Sequence, residues 1–326
     1  MSDEATVAVQ DRILGGLWGS LVGDALGVPV EFEDRSTMQA APVKDMRGYG
    51  THYQPPGTWS DDGALTLCTV DSLLHAEFDP EDMGRRFVQW MNEGLWTATG
   101  EVFDVGMTTT DALLRIASGT PAEQAGRTDE GSNGNGSLMR ILPVALRFSG
   151  DPLEALAQRL ERASSVTHGH ARSKQACVLY GLVVRKLLDG WKPQIALQVA
   201  RAEFRGRYED SSEFGFFGRT LDDDLLSLPD PQIFSTGYVL DTLHASLWCL
   251  LTTASFEECV LKAVNLGGDS DTTGCVAGGL AGVHYGVSAI PKRWVEALAR
   301  HDEVGALFNR FTAIIPSTTP TQPGPH

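Results

Sequence analysis

Apolar residues recur at helical spacing along nearly the whole chain, and this pattern constrains the fold more than any other feature. In the first such segment, residues 13–26, apolar side chains repeat at intervals of three and four, and four glycines between them leave room for close neighbours. Comparable patterns cover residues 62–76, 80–93, 108–117, 152–164, 172–189, 193–204, 237–253, 256–265, 272–285 and 291–308. Because sustained two-residue alternation is almost absent, the sequence predicts an all-α protein with roughly ten or more helices.

Three long connections, rich in glycine, proline and polar residues, interrupt these helical segments. They cover residues 30–59, 117–137 and 205–236. Long loops inside a compact domain are usually functional or disordered, and two of the three run directly into the motifs described below. We find no internal repeat and no linker that divides the chain. We therefore expect one domain over residues 1–315 and a frayed tail over residues 316–326, which are rich in Pro and Thr.

The excess of negative charge narrows the possible partners. The 326 residues carry a formal net charge of -16, whereas affinity for nucleic acid or anionic lipid depends largely on Lys and Arg. We therefore expect no binding to duplex nucleic acid. Ordinary hydrophobic (42%) and charged (21%) fractions indicate a folded globular protein. A small anionic ligand can still bind such a chain where metal ions or backbone N–H groups supply positive potential.

The cysteines and the N-terminal residues predict a cytoplasmic location. Five cysteines, an odd number, are spread through apolar helical segments, which is typical of buried free thiols in a reducing compartment. Residues 1–12 contain no basic stretch followed by an apolar one, and we expect no run of about 18 apolar residues elsewhere. The sequence thus predicts a protein that is not associated with a membrane, and we expect a monomer.

Two clusters of carboxylate and hydroxyl residues lie far apart in the sequence and each precedes a helical segment. They are Ser60, Asp61 and Asp62 in the first, and Asp269, Asp271 and Thr272 in the second. The first cluster alone is equally typical of a helix N-terminus, because Ser caps a helix and Asp complements its dipole. The second is framed by glycines and aims several oxygens at one point. Such ligands suit Mg²⁺, Mn²⁺ or Ca²⁺ rather than zinc, so we predict Mg²⁺ or Mn²⁺.

Two other classes of protein contain a similar Asp-x-Asp segment. A calcium-binding EF-hand loop is excluded, because its twelfth position requires a bidentate Glu and is occupied here by Leu280. A haloacid dehalogenase-type phosphohydrolase places its nucleophilic Asp at the end of an apolar strand. The residues before Asp269 are too few and too close to glycines to indicate a strand, so this class remains a minor alternative.

Seven collinear segments together resemble the ADP-ribosylglycohydrolase family, which includes the dinitrogenase reductase-activating glycohydrolase. The matching segments are residues 23–27 with Glu31, 60–62, 104–106 with Thr108 and Thr109, 134–140, 167–170, 237–239 and 268–272. Together they are far more specific than any one motif. The resemblance implies a single multi-helix bundle with a binuclear metal site at its centre.

The resemblance also implies an activity, which is the hydrolytic removal of ADP-ribose from a modified acceptor. Two Mg²⁺ ions, with Mn²⁺ as the alternative, would be held by both clusters: Ser60, Asp61, Asp62, Asp269, Asp271 and Thr272. Glu31 is implied as the acid/base residue, and Asp61 and Asp271 join it as the predicted catalytic residues.

Residues 131–140 are the predicted binding segment for the ligand's diphosphate. They contain three glycines and two asparagines ahead of an apolar helix, so their backbone N–H groups can form an anion-binding nest. Without the resemblance, an ordinary flexible loop would be the simpler interpretation. The substrate-binding residues that the resemblance implies are Asp104, Gly134, Asn135, Gly136, Ser137, Met139, His168 and Tyr238.

Two positions depart from the family pattern. Gly63 stands where many relatives carry a hydroxyl residue, and Met107 stands where an Asn is common. We expect the first to weaken the outer contacts of one metal and the second to alter which leaving group is accepted. An arginine side chain is the expected acceptor. One alternative is that the ADP-ribose is linked to serine or to an O-acetyl group. The other is that the protein is a non-catalytic relative that binds ADP-ribose.

Overall fold

Helices make up most of the computed structural model, which describes residues 7–316. The α-helices of this part of the chain are α1 (Val9–Gly27), α2 (Arg35–Ala40), α3 (Asp61–His75), α4 (Pro80–Glu93), α5 (Met107–Ala117), α6 (Leu142–Arg147), α7 (Leu153–Ser165), α8 (Ala171–Leu188), α9 (Pro193–Tyr208), α10 (Gly218–Asp222), α11 (Val239–Leu251), α12 (Phe256–Val264), α13 (Ser270–Tyr285), α14 (Lys292–Ala297) and α15 (His301–Ala313). Bridge pairing between extended residues in the same range is limited to Arg127 with His168 and Gly134 with Tyr238. The all-α prediction is confirmed.

The prediction of one continuous helix over residues 291–308 was wrong. The chain breaks between α14 and α15, where Arg300 adopts a left-handed conformation with φ of 49°. The break is held by long-range hydrogen bonds, because Ala299 N–H donates to Gly57 O at 3.0 Å and Arg300 Nη1 donates to Thr97 O at 2.8 Å. Two short helices, α2 and α10, lie in segments that we predicted as connections.

Helices α1 and α13 are largely buried and pack antiparallel in direct backbone contact. A Cβ atom at Gly19 would lie 2.3 Å from Gly278 O, and one at Gly23 would lie 2.0 Å from Gly274 O. No side chain fits at such distances, so the glycines of both helices are required for this approach. The expectation that the glycines of the first helix admit close neighbours is confirmed.

This contact determines where the functional residues lie. Asp24 follows Gly23 in α1, and Asp271 lies in the first turn of α13. At the C-terminal end of α1, a Cβ atom at Gly27 would lie 2.3 Å from Asp271 Cα. The end of α1 and the start of α13 are therefore held side by side.

The first helix is a core element, although its composition also satisfies the test for a membrane span. Residues Val9–Val30 are long and apolar enough to cross a membrane, so the expectation that no such run occurs was wrong. However, 94% of the apolar window is buried inside the protein, as in a core helix of a globular fold. The five cysteines are also buried and free, as predicted. Residues 317–326 of the expected tail lie outside the described residues.

Candidate active site

Asp24 organises the beginning of α3. Its carboxylate accepts hydrogen bonds from the backbone N–H groups of Ser60 at 3.0 Å and Gly63 at 2.8 Å. Ser60 is the N-cap of α3, and its Oγ accepts from Asp62 N–H at 3.3 Å. Burial raises the pKa of Asp24 to about 7, while the two N–H donors lower it. Sequence reasoning did not assign Asp24 to the site, although it lies in the first matching segment.

The two clusters that are distant in sequence meet in space. Thr272 Oγ1 donates to Asp62 Oδ2 at 3.2 Å, across a separation of 210 residues. Two sets of three carboxylates each offer oxygens within 4.8 Å of one another: Asp24, Asp62 and Asp271 in one, and Glu31, Asp269 and Asp271 in the other. Because Asp271 belongs to both sets, the two sets are adjacent.

The donor atoms of this centre fit a hard divalent cation. Burial raises the pKa of Asp61, Asp62 and Asp271 well above the usual range, and the neighbouring carboxylates raise it further. Within residues 7–316, one oxygen each of Asp62, Asp269 and Asp271 has no hydrogen-bond partner. Buried acceptors without donors, in a group of like charges, are what a bound cation would satisfy. The all-oxygen set favours Mg²⁺ or Mn²⁺ over zinc.

Glu31 lies against the second cluster, held there by backbone hydrogen bonds. Phe32 N–H donates to Gly268 O at 2.7 Å, and Gly268 N–H donates to Glu33 O at 2.8 Å. Burial raises the pKa of Glu31 to about 8, although a hydrogen bond from His52 lowers it. His52 contacts the Glu31 carboxylate through Nε2. It lies in a connection without a recognisable motif, so sequence reasoning missed it.

A cavity of about 270 Å³ opens above the carboxylates. Its lining combines both clusters, Glu31 and the predicted substrate segment: Glu31, Asp61, Asp104, Val105, Gly106, Met107, Thr108, Thr109, Gly134, Asn135, Gly136, Met139, His168, Gly237, Asp269 and Thr272. Asp62 and Asp271 are fully buried and lie behind this wall. Most of the predicted substrate-binding residues are therefore brought together, and their roles in binding stay predictions.

Two predicted substrate-binding side chains lie outside this lining. The Ser137 hydroxyl is fully buried, accepts from Ser164 Oγ at 2.9 Å and lies 3.5 Å from Cys177 Sγ. The Tyr238 hydroxyl accepts from Arg172 Nη1 at 3.2 Å. Any ligand contact of Ser137 would therefore come from its backbone.

Asn135 joins the glycine-rich segment to the second cluster. Its Nδ2 donates to Asp269 Oδ2 at 2.8 Å and to Thr242 Oγ1 at 2.9 Å. Its backbone N–H donates to Gly237 O at 3.0 Å, which fixes the segment beside the start of α11. The predicted diphosphate segment and the predicted metal ligands thus form one continuous wall.

A comparison with known families identifies the protein class to which this arrangement belongs. The family model for ADP-ribosylglycohydrolase matches residues 5–320. The chain belongs to the ADP-ribosylglycohydrolase family. The expected family and the expected fold are both confirmed, and the family is one of hydrolases.

Relatives in this family agree over most of their length. The ADP-ribosylarginine hydrolase Tri1 of Pseudomonas putida (strain GB-1) is 33% identical over 89% of this chain and 74% of its own. The ADP-ribosyl-[dinitrogen reductase] glycohydrolase of Rhodospirillum rubrum is 32% identical over 89% of this chain and 91% of its own. A solved structure described as an ADP-ribosylglycohydrolase-related protein complex superposes with a TM-score of 0.81 at 36% identity, covering 94% of this chain and 99% of that one.

The structure gives a packing reason for one departure from the family pattern and a location for the other. A Cβ atom at Gly63 would lie 2.7 Å from both Trp59 Cβ and Leu21 Cδ2. A hydroxyl residue at position 63 therefore does not fit unless Trp59 moves. Met107 begins α5, lines the cavity and is 86% exposed.

Proposed function

We propose that this protein is a Mg²⁺-dependent ADP-ribosylhydrolase that cleaves the N-glycosidic bond between ADP-ribose and an arginine side chain. The observation that carries the proposal is the convergence of Glu31 and both carboxylate clusters on one cavity. The names of two relatives support it, since one is an ADP-ribosylarginine hydrolase and the other acts on ADP-ribosylated dinitrogen reductase.

The proposed cofactor is a pair of Mg²⁺ ions, with Mn²⁺ as the alternative. The two adjacent carboxylate sets that share Asp271 support a pair. The proposed ligands are Ser60, Asp61, Asp62, Asp269, Asp271 and Thr272. When bound, the cations would offset the mutual repulsion of these carboxylates and orient ribose hydroxyls beside the anomeric carbon.

Glu31 is the proposed acid/base residue. Its burial favours the protonated carboxyl near neutral pH, and it lines the cavity next to Asp269. In the reaction, the bond from the anomeric carbon to the guanidine nitrogen breaks, and a water oxygen bonds to that carbon. The departing nitrogen gains one proton and the water loses one, and Glu31 is placed to exchange them. Its carboxylate form also stabilises positive charge that develops on the ribose.

A carboxylate in the cavity lining favours arginine as the acceptor. Asp104 lines the cavity and is neither a proposed metal ligand nor the proposed acid/base residue. A cationic guanidinium group is attracted to this carboxylate, whereas a serine hydroxyl carries no charge for it to attract. O-linked ADP-ribose is therefore the second candidate substrate.

Substrate release assays test the proposal. Purified protein is incubated with arginine-linked and serine-linked ADP-ribosylated polypeptides, with Mg²⁺ or with chelator. We expect release from the arginine-linked substrate in Mg²⁺ and its loss in chelator. Asp61→Ala and Asp269→Ala should abolish release, because each removes an oxygen ligand, whereas Asp210→Ala, at an exposed position, should leave it unchanged.

Three results would contradict parts of the proposal. Release from serine alone would replace the acceptor, and release that survives chelation would exclude the cation requirement. Binding of ADP-ribose without release from either substrate would favour a non-catalytic binding protein.

A further inference from the structure

Arg140 is a buried cation whose contacts are with neutral groups. Its side chain is fully buried. Its Nη2 donates to Ala163 O at 3.1 Å and to Thr167 Oγ1 at 2.7 Å, and its guanidinium lies 4.6 Å from the centre of the Phe87 ring. Burial lowers the pKa of Arg140 to about 10, so it stays charged at neutral pH. Desolvating a charge without an opposite charge is costly, which suggests that Arg140 does more than fill space.

Thr167 connects this cation to His168. The Thr167 Oγ1 atom accepts from Arg140 and also lies 2.9 Å from His168 Nδ1. Arginine can only donate, so the hydroxyl oxygen must accept from it. Among the described residues, His168 Nδ1 is the other hydrogen-bond partner of this buried hydroxyl, so the hydroxyl proton is satisfied only if Thr167 donates to Nδ1. A neutral imidazole that accepts at Nδ1 carries its proton at Nε2.

The ring of His168 presents Nε2 towards the cavity wall. Ideal Cβ positions at Gly134 and Gly136 each lie 3.4 Å from Nε2, so this nitrogen faces the glycine-rich segment. His168 and both glycines line the cavity. Burial, together with the positive charge of Arg140, lowers the pKa of His168 to about 3. The ring is therefore neutral throughout the physiological pH range.

We propose that Arg140 and Thr167 are positioning residues that fix His168 as its Nε2–H tautomer, so that the cavity offers a permanent hydrogen-bond donor to an oxygen of the ADP-ribose moiety. A histidine that could change tautomer would present either a donor or an acceptor. The fixed tautomer selects for a ligand atom that accepts, such as a phosphate or ribose oxygen. The identity of the ligand rests on the proposed function, whereas the tautomer is a property of the free protein.

The tautomer can be measured directly by NMR in the wild-type protein without ligand. Long-range ¹H–¹⁵N correlation spectra of protein labelled in its histidines report which ring nitrogen carries the proton, and His168→Gln identifies the signals. We expect Nε2 to be protonated and Nδ1 to accept, with no change from about pH 8 to about pH 5. A proton on Nδ1, or protonation of the ring near the usual pKa of histidine, would overturn the inference.

Matched substitutions at Thr167 test the consequence for binding. Thr167→Ser keeps the hydroxyl, and Thr167→Val removes it while keeping the shape of the side chain. In calorimetric titrations with ADP-ribose and Mg²⁺, we expect Thr167→Ser to match the wild type. Thr167→Val should bind about tenfold more weakly, the effect of one hydrogen bond, and its His168 spectrum should show mixed tautomers.

The outcomes separate the two proposals. Equal affinity of all three proteins would overturn the positioning role. If the wild type binds no ADP-ribose, the proposed function fails, and the spectra of the wild type still decide the tautomer. Thermal unfolding of Thr167→Val shows whether the variant is folded at the temperature of the titration. If it is not folded, the NMR spectra of the wild type still test the tautomer.

Discussion

Replacing Gly23 by alanine should destabilise the protein, because α1 and α13 are in backbone contact there. The added Cβ would lie 2.0 Å from Gly274 O and 2.4 Å from Gly274 C. Extra carbon atoms in a packed interior cost about 1–3 kcal/mol, and alanine returns up to about 1 kcal/mol through its helix propensity. Because the clash is with backbone that cannot rotate away, we expect the upper end of the cost and a net loss of about 2 kcal/mol.

Gly206→Ala is the matched control. Gly206 is an exposed helical glycine of α9, and a Cβ atom there would have no neighbour within 4 Å. This change gains only the helix propensity, so the free energy of unfolding should rise by about 0.5–1 kcal/mol. The difference between the two variants isolates the steric cost at the contact of α1 with α13.

Urea unfolding measures both variants, and Mn²⁺ titration measures the site. If the two helices move apart in Gly23→Ala, Asp271 moves away from Asp24, which holds the first cluster at the start of α3. The affinity for Mn²⁺ should then fall together with stability. A Gly23→Ala protein as stable as Gly206→Ala, with unchanged Mn²⁺ affinity, would refute the role that we assign to the glycine contact.

The remaining predictions concern packing, metal and pH. Gly63→Ser should lower the free energy of unfolding by about 1–3 kcal/mol because it displaces Trp59; an unchanged urea midpoint would contradict this. Removal of Mg²⁺ by a chelator should lower the free energy of unfolding by about 2.7 kcal/mol relative to protein with Mg²⁺ at about a hundred times its Kd. The chelated protein should then lose stability as the pH rises from about 6 to about 8. The reason is that the pKa values of Asp24 and Glu31 in the folded state, about 7 and about 8, exceed their values in the unfolded chain. Thermal unfolding with and without chelator, at several pH values, measures the effect of chelation and the effect of pH. Burial lowers the pKa of His244 to about 4, so the unfolded chain takes up a proton before the folded protein does as the pH falls. Between about pH 7 and pH 5, the free energy of unfolding of the wild type should therefore fall by about 2 kcal/mol relative to His244→Leu. An equal shift of the urea midpoint in both proteins between the two pH values would contradict this.

The helical spacing of apolar residues was sufficient to predict most helices, because each must bury one face. The same rule failed at Arg300, where the apolar pattern continues but the chain turns. The turn depends on hydrogen bonds from Ala299 to Gly57 and from Arg300 to Thr97. Partners so distant in sequence leave no local signal, so a periodic pattern alone could not have located the break.

In the candidate site, too, the sequence predicted some residues and missed others. Asp62 and Thr272 were predicted to converge because both belong to matching segments, and the structure places Thr272 Oγ1 3.2 Å from Asp62 Oδ2. Asp24 was missed as a site residue because its partners are mainly backbone N–H groups, which have no side-chain signature. The contacts of Arg140 with Thr167 and of His52 with Glu31 depend on how loops pack against helices, which no spacing rule supplies.

The binding of Mn²⁺ to the wild type, Asp62→Asn, Asp271→Asn and Asp210→Asn tests most directly whether the two clusters act as one metal centre. Electron paramagnetic resonance of the free ion gives the number and affinity of bound ions in each protein. We predict that Asp62→Asn and Asp271→Asn each weaken the same sites, although the two residues lie on α3 and α13, while Asp210→Asn binds as the wild type does. Full binding that survives the loss of either cluster would contradict a shared centre.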